Sequence, residues 1–175
     1  MTGAPAPGPV PGDPRDRDGA GRPRNARARD ELGRPLPRAA ASDVPRVPDD
    51  LAVTPAEAVS LGGGLLAEGR PFHAHEVFEA AWKTAPEPER ELWRGLAQIA
   101  VGLTHARRGN ARGAVALLRR GAERVAGYLG DARPYGVDPQ FVAGRAADMA
   151  ASIERDGLAA VPAAGLRLPL RPADR

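Results

Sequence analysis

Residues 71–82 read PFHAHEVFEAAW. A proline presets the backbone of a first helical turn, and the eleven residues after it include neither glycine nor a second proline. The stretch therefore predicts a helix. At about 100° per residue, with His75 at zero, Glu79 falls at roughly 40°, Phe72 at roughly 60°, Trp82 at roughly 340° and Phe78 at roughly 300°. Ala74 and Ala81 extend this arc, while His73, Glu76 and Ala80 are expected to face elsewhere. The aromatic side thus carries two ionisable groups. An unpartnered buried polar group costs on the order of 1–3 kcal/mol, so His75 and Glu79 are expected to be partnered. At i, i+4 they can hydrogen-bond to each other, or an imidazole and a carboxylate one turn apart can jointly face a divalent metal. The sequence HEVFE is not the HExxH of zinc peptidases, and two donors leave a metal site incomplete.

Helical signals continue on both sides. Upstream, TPAE (54–57) supplies an N-cap threonine, a proline in the first turn and Glu57 in capping-box position. That helix runs to Gly69 through Gly62, Gly63 and Gly64, a run that either admits a neighbouring backbone or breaks the helix. Downstream, Pro88 opens a third helix stopped by Gly109, Asn110 caps a fourth closed by Gly130, and Asp138 with Pro139 starts a fifth ending at Gly157. Nothing alternates with a period of two. The expected fold is all-α: a single bundle of about five helices over residues 51–160. Residues 1–50 mix Pro, Gly, Arg and Asp without apolar period and read as a disordered extension. Residues 161–175 read as a flexible Pro/Arg-rich tail.

The 175 residues hold 21 Gly, 19 Pro and no Cys, which excludes disulfides, thiolate metal sites and a cysteine nucleophile. The net charge is +3, but residues 51–160 carry twelve Arg and one Lys against thirteen Asp and Glu. A balanced helical region argues against a nucleic-acid partner. With no secretory signal and no membrane-length apolar run, a cytoplasmic protein without membrane contact is the expectation. The third helix has an oily arc of Leu92, Leu96, Ile99, Ala100 and Leu103. Beside it runs a polar stripe of Glu91, Arg94, Gln98 and His105, with Gly95 and Gly102 allowing a close neighbour. His105 is the candidate third ligand for His75 and Glu79. Its alternative is a surface histidine at a helix C-terminus. Phe72, Trp82 and Gln98 are the expected pocket walls.

His75, Glu79 and Trp82 match the pattern His-x-x-x-Glu-x-x-Trp/Tyr. In GLAQIAVGLTHARRGNARGA (95–114), Gly95, Leu96, Gln98, Ala100, His105, Arg108, Gly109, Asn110, Gly113 and Ala114 form a second block. Over residues 55–130 the chain resembles domain-of-unknown-function family 309, small bacterial and archaeal proteins. The resemblance implies a small all-α bundle and a motif for which metal binding has been proposed without an established reaction. The long extension before residue 50 departs from that compact pattern and suggests partner docking. Two functions follow as expectations: a divalent-metal site at His75 and Glu79 with an unnamed reaction, or a non-catalytic helical interaction module with a structural His/Glu/Trp cluster. The partner would be another protein or a second copy of the chain.

Overall fold

Thr54 starts the bundle. Its hydroxyl accepts the Glu57 N–H at 3.3 Å while the Glu57 carboxylate accepts the Thr54 N–H at 2.8 Å, so two otherwise orphaned donors are satisfied reciprocally. The computed structural model describes residues 29–37, 48 and 51–172. Five helices follow in order: α1 (Pro55–Ala67), α2 (Pro71–Thr84), α3 (Glu87–Arg107), α4 (Ala111–Ala126) and α5 (Pro139–Asp156). The chain is all-α as expected, and consecutive helices pack on one another. Asn110 and Asp138 cap α4 and α5 through Gly113 N–H and Phe141 N–H. Helix α4 closes at Gly127, three residues before the expected Gly130.

The close approach expected of α3 is made by α4. A methyl at Gly95 would meet Gly121 O at 3.0 Å, one at Gly121 would meet Gly95 O at 2.9 Å, and Gly102 lies against Leu118. These pairs run in opposite directions along the two helices, which are therefore antiparallel. The glycine run of α1 does not break the helix. Gly62 leaves room for the Phe78 ring, which an added methyl would meet at 2.4 Å, and Gly63 faces Leu170.

Three expectations need correction. The buried side of α2 is His73, Ala74, Val77, Phe78 and Ala81, an arc centred roughly 130° from His75. Phe72, His75, Glu79 and Trp82 are only half-buried along its flank. Ala74, Phe78 and Ala81 of the expected arc do face inward, but Val77 and His73 join them, while Phe72 and Trp82 cover an edge. The end of the chain is not a loose tail up to Leu170. Leu168 and Leu170 are buried in the core, and Leu170 O accepts the Asp138 N–H at 2.8 Å. Most of the extension expected over 1–50 lies outside the described residues, but residues 29–37 form a turn against the bundle. Within it, Asp30 Oδ1 accepts the Leu32 and Arg34 N–H groups at 2.9 and 2.7 Å.

The largest fully buried side chain is Trp93, one residue away from the arc assigned to α3. Its indole N–H donates to Glu89 Oε2 at 3.1 Å, and the Tyr135 hydroxyl donates to Glu89 Oε1 at 2.8 Å. Trp93 and Tyr135 stack at 6.1 Å, which fixes the α4–α5 connection across the start of α3. A tryptophan four residues after a glutamate was the available signal; the tyrosine partner is remote in sequence.

Candidate functional site

The motif of α2 forms a ladder along one flank. His75 Nε2 and Glu79 Oε2 are 3.2 Å apart, and Lys83 Nζ donates to Glu79 Oε1 at 3.0 Å. The side chains of His75 and Glu79 are 26% and 38% exposed, so the pair sits at the surface edge. Burial pushes the His75 pKa below its ordinary value, opposed by Glu79, while Lys83 lowers it further and a hydrogen bond to the Phe72 backbone raises it. Trp82 is half-buried beneath Arg90, whose guanidinium carbon lies 5.9 Å from the ring centroid.

The other residues expected at this site point elsewhere. The Asn110 side-chain amide lies 2.8 Å from His105 Nδ1. Since Asn110 Oδ1 already accepts the Gly113 N–H at 2.9 Å, its NH₂ is the donor and His105 Nδ1 the acceptor. Gln98 accepts from Arg124 Nε at 3.1 Å on the α4 side, and Arg124 also pairs with Glu91. Among the described residues, no three His, Asp or Glu side chains are grouped so as to hold a metal ion. His75 and Glu79 thus come together as expected, His105 and Gln98 do not join them, and the Lys83 ammonium bonds the other oxygen of the same carboxylate. Within the described residues this donor set is two ligands, short of a complete metal centre.

Phe72 gathers more neighbours than the motif foretold. Its ring meets His73 edge-on at 5.5 Å and lies 6.1 Å from His75. The guanidinium carbons of Arg29 and Arg108 lie 5.4 and 6.0 Å from its centroid. Arg108 donates through Nε at 2.8 Å, and also through Nη2, to the carbonyl oxygen of Leu32. Gly33 is buried against the same ring. Burial lowers the Arg108 pKa, Arg34 and Arg29 lower it further, and Asp30 opposes them. Sequence reasoning missed this contact, although Asp30, Gly33 and Pro35 together are a turn signal.

The place of these residues in the chain matters here, because α2, α3 and the start of α4 supply almost every group described. Residues 60–117 match the model of DUF309, a domain of unknown function. This is the family indicated by the two sequence blocks. No curated protein and no solved structure matches the chain. The DUF309 segment contains the His75–Glu79 pair, Trp82, Phe72 and Arg108, whereas the turn that Arg108 holds lies before it. No helix among the described residues is long and apolar enough to cross a membrane.

Proposed function

We propose that the protein is a non-catalytic helical interaction module, in which the DUF309 motif shapes a flank of α2 and a neighbouring surface takes up peptide. The observation that carries this reading is the seating of residues 29–37 on Phe72 and Arg108. The His75–Glu79–Lys83 ladder then keeps the flank in register and supplies no reaction. A divalent-metal reading has one supporting observation, two donors converging one turn apart on a half-exposed face. It would require further ligands from outside the described residues.

Thermal unfolding of metal-stripped protein with zinc, manganese, nickel or magnesium separates the two readings, because an ion held by folded ligands stabilises them by mass action. We expect no ion to raise the Tm by more than about 1 °C. We also expect the His75→Ala, Glu79→Ala double variant to lose no more than about 1 kcal/mol, as for other half-exposed pairs. A clear rise with one ion, lost in the double variant, would replace the module reading with the metal one.

A further inference from the structure

The turn at residues 29–37 is organised by its own bonds and is held on the bundle at Phe72 and Arg108. Within it, Asp30 N–H donates to Arg34 O at 3.0 Å, Gly33 N–H donates to Asp30 O at 2.8 Å, and Arg29 Nη1 donates to Gly33 O at 2.6 Å. Arg29 and Pro35 pair as an isolated antiparallel bridge. A segment that keeps its shape through internal hydrogen bonds loses little conformational entropy on docking. On the bundle side, Phe72 supplies a flat apolar face and Arg108 supplies two converging donors aimed at one carbonyl, the oxygen of Leu32. Gly33, at φ +72°, presses against the Phe72 ring so closely that an added methyl would meet it at 2.1 Å. Shape, glycine and a single carbonyl acceptor are thus what the surface reads. Thirteen residues separate Pro37 from Leu51, a length of chain that spans up to about 45 Å when fully extended.

We infer that Phe72 and Arg108 form a docking site for a glycine-bearing aspartate turn, and that residues 29–37 are its built-in, displaceable occupant. The site takes a protein partner that presents the same chemistry: an Asp side chain capping its own turn, a free carbonyl two residues on, and a glycine at positive φ. The chain's own turn holds the surface until such a partner replaces it. The inference rests on the module reading, but it fails separately, since a metal response and loss of peptide binding are independent results.

The probe is a synthetic peptide of residues 29–37, RDELGRPLP, labelled at its C-terminus and followed by fluorescence anisotropy against the full chain. The Gly33→Val chain expels its own turn, because a β-branched residue is strained at that φ and clashes with Phe72. We expect saturable binding of the peptide to the Gly33→Val chain. Binding to the wild-type chain should be at least about tenfold weaker, because a tethered competitor acts at an effective concentration on the order of 1 mM. Adding Arg108→Gln to the Gly33→Val chain should abolish binding, and a peptide carrying Gly33→Val should not bind. With two Arg and two acidic residues the peptide is balanced, so its affinity should vary little with salt. Asp30→Ala, which removes the Asx bonds to Leu32 and Arg34, serves as a second way to free the surface. Absence of saturable binding to both freed chains would overturn the inference. Equal binding with and without Arg108 would do the same, as would loss of the helical signal in both variants, which would make the turn part of the fold.

Discussion

His73 is the side chain whose surroundings agree least with its chemistry. It is 3% exposed and its Nδ1 has no hydrogen-bond partner among the described residues. Burial lowers its pKa, Arg70 lowers it further, and Glu31 of the docked turn opposes them. The folded protein therefore keeps His73 neutral at pH values where the unfolded chain, with an imidazole pKa of about 6.5, takes up a proton. The unfolded state binds more protons in that window, so stability falls as the pH drops below roughly 6.5 and levels off only below the folded pKa. His75 is shifted in the same direction and adds to the slope. Thermal unfolding from pH 7.5 to 5 should show this decline, and His73→Leu should flatten it while retaining stability at pH 7.5. An undiminished slope in that variant would assign the effect to other groups. The pattern of α2 alone expected His75 to be partly buried, as it is, but turned outward the His73 that lies in the interior. Ala74, Phe78 and Ala81 face inward as expected, and the inward side extends from them to Val77 and His73 and not to Phe72 and Trp82.

At the scale of the helix, α1 offers a comparison between two glycines two residues apart. Both sit inside a regular α-helix, where glycine costs roughly 0.5–1 kcal/mol relative to alanine. At Gly62 that cost is offset by the Phe78 ring, and an alanine methyl would meet it at 2.4 Å. At Gly64 nothing lies within 4 Å of the position of such a methyl. Gly64→Ala should therefore stabilise by about 0.5–1 kcal/mol, and Gly62→Ala should destabilise by about 1–3 kcal/mol through overpacking. Urea unfolding of the two variants decides it, and the same sign for both would contradict the packing of Phe78 into α1. The caps and stops of the helices were legible because they depend on neighbours within four residues. The reason for the triple glycine was not legible, since its partners, Phe78 and Leu170, come from other elements.

For the molecule as a whole, the chain end completes the core. Leu168 and Leu170 bring their side chains into it from an irregular segment, and fully burying a leucine contributes roughly 1.5–3 kcal/mol. Ending the chain after Leu166 should therefore lower stability by about 3–5 kcal/mol and open the α1 flank around Gly63. Ending it after Pro172 should change stability little. Denaturant unfolding of the two truncations tests this, and similar midpoints would mean that the end of the chain adds nothing to the core.

Local chemistry determined the all-α class, the order of five helices, most of their ends, the α3 glycine face and the i, i+4 contact of His75 with Glu79. Each depends on spacing within one helix or on a cap a few residues away, so a linear reading suffices. Only the tertiary structure decided which side of α2 faces inward, where His105 and Gln98 find their partners, and that residues 29–37 and 167–170 pack on the bundle. Those outcomes depend on which surfaces fit when several elements close together. A Leu-Pro-Leu near the end or an Asp-Glu-Leu-Gly near the start has no period of its own to announce the cavity or the ring it will meet.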